Sequence, residues 1–173
     1  DVPCQIRHFS FDHTPEPLEF ALKHAQELGY FEGYKKPVTE LLQNQRVTFQ
    51  EGAQSVNWEF HCGDFPAWLA NAKLKIKNSK PVPAPHAILF DAYSPARNPA
   101  MWTLPLFTNL FQRLDPQRPC AMPTYSRSTI LRVTLLLAGF YVGVGHATGE
   151  QEETTIAAND LSLLAETLDA RWL

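Results

Sequence analysis

The chain has 173 residues, of which 45% are apolar and 19% charged, with a net charge of -3 and an isoelectric point near 6.1. That length suits one domain with a full core, and the slight acidity excludes a general electrostatic attraction to nucleic acid, though a local basic patch is available at Lys73, Lys75, Lys77 and Lys80. Cys4, Cys62 and Cys120 are too few and too far apart for a disulfide framework or a zinc site, no run of about 18 apolar residues marks a membrane span, and no signal peptide is read, so a reducing cytoplasm is the expected compartment.

Gln5 to Phe11 alternates and is rich in β-favouring residues, which predicts a strand ending at Asp12. Asp1 is not an initiator Met and the chain enters a strand at once, so the native sequence is expected to begin further upstream. Thr14-Pro15-Glu16-Pro17 reads as a helix start with Thr14 as N-cap. Leu18, Ala21, Leu22, Ala25 and Leu28 keep helical spacing, and Gly29 is a natural stop. A second helix is expected over Pro37–Asn44 and a short strand over Arg46–Phe49. Val56–Cys62 alternates and ends at Gly63-Asp64, a further strand followed by an acid. Phe65–Ala72 suggests a helix capped by Asp64, and Lys73–Pro85 a basic, Pro-rich extended connector.

His86–Phe90 is a short apolar run that reads as a buried strand delivering Asp91 to a loop. Leu104–Leu114 has helical spacing, Pro119–Tyr125 reads as a strand, and Ser128–Ala138 as a helix closed by Gly139. Phe140–Val144 and Glu153–Ala158 are strands joined by too few residues for a helix, so they should pair as an antiparallel hairpin. Leu161–Trp172 is a final amphipathic helix or tail. Strands alternating with helices predict an α/β fold with a mostly parallel sheet and an antiparallel terminal hairpin.

Three acids sit at strand ends: Asp12, Asp64 and Asp91. A carboxylate there can accept hydrogen bonds from both ribose hydroxyls of a nucleotide, and sites in open α/β sheets form at the carboxyl ends of strands. Each acid has a plainer reading as a helix cap or turn residue. The loop after Asp91 is the most distinctive segment. Asp91-Ala-Tyr-Ser-Pro-Ala-Arg-Asn-Pro-Ala-Met-Trp-Thr103 contains two prolines that stiffen the backbone. On that backbone stand Tyr93, Arg97, Asn98 and Trp102.

This loop resembles the D-G-F-x-P-x-[KR]-N-P-x-M-W-T motif of the MnmC-like methyltransferases. Phe9-Ser-Phe-Asp-His-Thr-Pro15, Cys62-Gly-Asp64 and Ala138-Gly-Phe140 are similar to further segments of that family, in the same order and over nearly the whole chain. The resemblance implies a Rossmann-like class I methyltransferase fold over residues 1–173 as one N-terminally incomplete domain. It implies S-adenosyl-L-methionine as cofactor, an aminomethyl group on the wobble uridine of tRNA as methyl acceptor, and an oxidoreductase partner, fused or separate. Asp12, His13, Gly63, Asp64, Phe65 and Asp91 would then contact the cofactor. Asp12 would hold the ribose and Asp64 the adenine amino group. Asp91 would lie beside the methyl group as catalytic residue, with Tyr93, Pro95, Arg97, Asn98, Trp102 and Tyr125 shaping the substrate pocket.

Two segments depart from the family pattern. The first strand and glycine-rich loop are missing from these 173 residues, which would leave a gap in the middle of the expected sheet. The final hairpin carries Gly149-Glu-Gln-Glu-Glu-Thr-Thr155 where the family is basic. An acidic segment at 150–153 repels phosphates and disfavours tRNA. A small-molecule amine methyltransferase and a non-catalytic methyltransferase-like module are the competing readings. The six histidines form no HxH or HxxxH pair, so no metal is expected. Ser126 lies outside any GxSxG elbow, and Tyr125-Ser-Arg-Ser128 reads equally as a substrate-facing segment or as a helix cap. Trp58, Trp68 and Trp172 read as packing residues.

Overall fold

A computed structural model describes residues 2–71, 82–147 and 153–168. The basic Lys73–Lys80 cluster, most of the acidic 150–153 segment and the end of the tail, Trp172 included, lie outside the described residues. The chain divides into two compact units, Asp1–Trp68 and Leu69–Leu173.

The first unit is a three-stranded sheet in the order β1-β3-β2. β1 (Cys4–Asp12) and β3 (Gln54–Cys62) pair in parallel, Cys4 with Gln54 through Asp12 with Cys62. β2 (Arg46–Glu51) pairs with β3 antiparallel across a two-residue turn whose Gly52 takes φ 57°. Between β1 and β2 lie α1 (Glu16–Lys23), α2 (Ala25–Leu28) and α3 (Lys35–Asn44). The single helix expected over Leu18–Leu28 is broken at His24, whose φ of -102° and ψ of 18° leave the helical region. Thr14 Oγ1 accepts from the Glu16 N–H at 3.3 Å although Pro15 holds the cap position, and Gly29 stops α2 at φ 67°. Leu41, Val47 and Phe60 form the small core, flanked by Leu18, Phe49 and Trp58.

α4 (Phe65–Asn71) spans the division between the units. The second unit contains α5 (Leu104–Phe111), β4 (Ala121–Thr124), α6 (Thr129–Ala138), β5 (Tyr141–Gly145) and β6 (Thr154–Ala158). Its sheet order is β4-β6-β5, both pairs antiparallel. The expected hairpin is β5–β6. The run before Asp91 lies parallel to β4 through bridges Ala87–Ala121 and Phe90–Thr124. Phe107, Met122, Leu135, Cys120 and Ala157 are fully buried in this unit.

The sheet and the tail also bear on the expectations. Among the described residues the strands form two sheets whose ladders are one parallel and three antiparallel, instead of one mostly parallel sheet. The β2–β3 hairpin supplies one antiparallel pair, and insertion of β6 between β4 and β5 supplies the other two. The tail is no helix over its described part. Asp160 caps a 3-10 turn at Leu161–Leu163 by accepting from the Ser162 N–H at 2.8 Å. The chain then runs extended beside β5, Val144 N–H donating to Glu166 O at 2.9 Å and Leu168 N–H to Val142 O at 3.0 Å. An unpaired strand edge takes up those backbone bonds in preference to a solvated helix.

Candidate functional site

Because β1 and β3 are parallel and in register, their carboxyl ends finish together, with Asp12 opposite Cys62. The Gly63 N–H donates to Asp12 O at 2.7 Å, and Gly63 takes φ 148°, a conformation that favours glycine. Asp64 Oδ1 accepts from the Ala67 N–H at 2.8 Å, so one carboxylate oxygen is spent capping α4. His13 contributes its carbonyl to the Cys62 thiol at 3.4 Å. Asp12, Asp64 and His13 are exposed.

Phe11, His61, Cys62, Gly63, Asp64, Phe65 and Trp68 line a shallow cleft of about 60 Å3 there. His61 stacks on Phe11 with centroids 4.9 Å apart and planes 16° apart, and Trp68 lies 4.6 Å from Phe11. His61 Nε2 is buried with no hydrogen-bond partner among the described residues. Leaving such an atom unsatisfied costs about 1–3 kcal/mol. A larger cleft of about 460 Å3 opens over Glu40, Asn44, Arg46, Val47, Thr48 and Asn57. It contains none of the strand-end acids, and its size alone does not make it the site. Sequence reasoning missed His61 and Trp68 as cleft walls. Alternation along Val56–Cys62 shows that a residue faces one side, and does not show that the aromatic groups of β1 and α4 meet it there.

In the second unit the Asp91 loop is rigid for identifiable reasons. Pro95 starts a turn in which Ser94 O accepts from the N–H groups of Arg97 at 2.8 Å and Asn98 at 2.9 Å. Pro99 opens a 3-10 turn to Trp102, and Thr103 caps α5 through Leu106 N–H at 3.3 Å. Trp102 Nε1–H donates to Tyr93 O at 2.7 Å, and the Tyr125 hydroxyl donates to Ala92 O at 2.7 Å. Trp102 meets Tyr125 edge-on at 6.0 Å and Phe90 edge-on at 5.3 Å. Partial desolvation and the nearby charge of Asp91 push the Tyr125 phenol above its ordinary pKa. Asp91, Pro95 and Arg97 are exposed, Asn98 is half-buried, and Tyr93 is 73% exposed. Asp91, Tyr93, Trp102 and Tyr125 are thus tied into one constellation.

Arg132 was also missed. It is 3% exposed on α6, donating to Thr155 Oγ1 at 2.9 Å, Thr154 O at 3.3 Å and Glu153 Oε1 at 2.8 Å. A lone cation in the apolar run Thr129-Ile-Leu-Arg-Val-Thr-Leu-Leu-Leu137 was the available signal. One acid of the expected phosphate-repelling segment is therefore paired. No helix among the described residues is long and apolar enough to cross a membrane, and no cluster of three or more His, Cys, Asp or Glu among them could hold a metal ion.

No curated protein matches the chain. Among solved structures it resembles MnmC2 from Aquifex aeolicus, with a TM-score of 0.54 and 24% identity over 88% of this chain and 53% of that one. Precorrin-8w decarboxylase from Methanobacterium thermoautotrophicum also matches, with a TM-score of 0.39 and 10% identity over 90% of this chain and 79% of that one. The chain spans about half the length of the Aquifex protein, and that likeness is one of Rossmann-like α/β fold. The sequence profile of the S-adenosyl-L-methionine-dependent methyltransferases matches residues 32–160. That match covers well over half of the chain, which therefore belongs to the S-adenosyl-L-methionine-dependent methyltransferase family.

Proposed function

We propose that residues 1–173 are one methyltransferase-like domain acting as an N-methyltransferase on the aminomethyl group of a tRNA wobble uridine. The observation that carries this reading is the braced Asp91–Trp102 loop, which keeps Asp91 and Tyr93 exposed.

The first-unit cleft is too shallow to enclose an adenosine, but its rim carries groups that suit one. Phe11, Phe65 and Trp68 offer aromatic surface, and Asp12 an exposed carboxylate for ribose hydroxyls. Asp64 keeps carboxylate capacity beyond its cap bond for an amino group. Bound S-adenosyl-L-methionine supplies an electrophilic methyl group on a sulfonium centre. Asp91 accepts a hydrogen bond from the acceptor amine, aims its lone pair, stabilises the positive charge that develops on nitrogen, and takes up the proton. Orientation of this kind is worth up to about 7–11 kcal/mol in well-aligned systems.

Calorimetry and single-turnover methyl transfer on the full-length protein test the reading. Asp91→Ala should abolish transfer and leave the dissociation constant for S-adenosyl-L-methionine within about threefold of wild type, since a group acting mainly on the acceptor contributes little to uniform cofactor binding. Near wild-type turnover in that variant would remove Asp91 from the mechanism. Absence of cofactor binding by the wild-type protein would favour a non-catalytic module.

A further inference from the structure

We propose that Tyr125 and Trp102 are positioning residues that brace the backbone just after Asp91, and not walls of the acceptor pocket. Their donors are already committed. The Tyr125 hydroxyl, just past the end of β4, donates to Ala92 O at 2.7 Å, and Trp102 Nε1–H, at the end of the 3-10 turn, donates to Tyr93 O at 2.7 Å. Two consecutive carbonyls are thus held by two aromatic residues from different elements. The two rings brace each other edge-on at 6.0 Å, and Trp102 is seated on Phe90, which is itself buried and 5.3 Å from Phe107 of α5.

The brace has a specific consequence. Once the Ala92 and Tyr93 carbonyls are fixed, the peptide planes on either side of Tyr93 are fixed, and so is the Cα–Cβ direction of Tyr93, while Phe90, bridged to Thr124, anchors the chain on the other side of Asp91. Tyr93 therefore stays 73% exposed on a stiff support instead of collapsing onto the surface, as a large aromatic on a mobile loop would. The loop presents a carboxylate and, two residues on, a planar ring. That pairing suits an amine attached to a flat heterocycle, because aromatic stacking holds a base of any sequence. This inference rests on the reading of Asp91 as the methyl-transfer residue.

Tyr125→Phe and Trp102→Phe each remove one donor and keep a ring in place. Amide hydrogen exchange on the full-length protein is the first readout. The Arg97, Asn98 and Met101 amides, bonded within the loop, should exchange about 5–10 times faster in either variant, the loss expected for about one hydrogen bond, while the amides of α6 and β6 keep their wild-type protection. The second readout is methyl transfer to tRNA bearing an aminomethyl group on its wobble uridine. Each variant should lower kcat about tenfold with KM for the tRNA unchanged. Unchanged loop exchange overturns the proposal, and so does a raised KM with intact kcat, which would make the two side chains acceptor contacts. If the wild-type protein transfers no methyl group, the Asp91 reading fails, while the exchange experiment still decides whether the brace exists.

Discussion

Arg132 is a cation removed from water on an otherwise apolar helix face, so the sheet must compensate it. Thr155, itself fully buried, takes Nε–H, and Glu153, with a side chain 41% exposed, takes an Nη2–H at 2.8 Å. Glu153→Ala withdraws one carboxylate from this buried cation and should destabilise the protein by about 1–3 kcal/mol in urea titration. Adding Arg132→Met should recover part of that loss, since a well-packed apolar side chain commonly replaces a buried ion pair without penalty. A loss in the double variant equal to the sum of the Glu153→Ala and Arg132→Met losses would show that the pair is not coupled. Tyr125 makes a pH-dependent contribution. Its pKa is raised by partial desolvation and by the charge of Asp91, so the folded state binds its proton more tightly than the unfolded state does. The resulting stability is fully present below the unfolded value of about 10 and is lost as pH rises through the higher folded value. Tyr34, raised chiefly by its hydrogen bond to Glu51, acts with the same sign. Tyr125→Phe should therefore flatten part of the alkaline loss of stability and leave the Tyr34 part in place. An unchanged alkaline slope in thermal melts would refute the assignment.

At the scale of elements, the extended tail on β5 depends on a close approach. A Cβ at position 143 would overlap the Glu166 carbonyl oxygen, so Gly143 is what lets the tail lie against the strand. Gly143→Ala should cost about 1–3 kcal/mol and speed exchange of the Val144 and Leu168 amides, which bond across that seam. Wild-type exchange there would show that the strand edge does not need the glycine. This seam also decides between the helix and the tail that the sequence leaves open over Leu161–Trp172. Leu161, Leu164 and Leu168 are spaced as on a helix, and nothing local reveals that β5 has an edge to cover. The β2–β3 hairpin was hidden for a different reason. Its strands extend past Phe49 and begin before Val56, so polar Gln50, Glu51, Gln54 and Ser55 looked like loop and masked the Gly52-Ala53 turn. Helix stops were legible because they are local: Gly29 and Gly139 both adopt positive φ where the periodicity ends. Asp64 as cap of α4 was equally local, and was read correctly for that reason.

At the scale of the whole molecule, the sequence order of strand-end acids identified the carboxyl edges, while the sheets themselves divide between two units. Residue order carries the chemistry of each strand end, but pairing partners are decided by the backbone groups each strand finds, which composition does not encode. The net charge of -3 bears directly on the proposed tRNA acceptor. A chain of that charge offers no broad field for a polyanion, so binding must rest on a few local phosphate contacts. Arg97 and Arg127 are exposed, on the Asp91 loop and between β4 and α6 respectively, and are the cations expected to make them. Each contact adds about -0.7 to -0.9 to the slope of log K against log salt, so with these two contacts an anticodon stem-loop should bind with a slope of about -1.4 to -1.8, far shallower than a basic RNA-binding domain shows. Arg97→Ala and Arg127→Ala should each make the slope shallower by about one unit and weaken binding about equally for all sequences, the mark of phosphate and not base contacts. A slope near wild type in both variants would place the RNA on other cations and detach the Asp91 loop from tRNA recognition. A loss confined to one RNA sequence would instead assign the arginine a base contact.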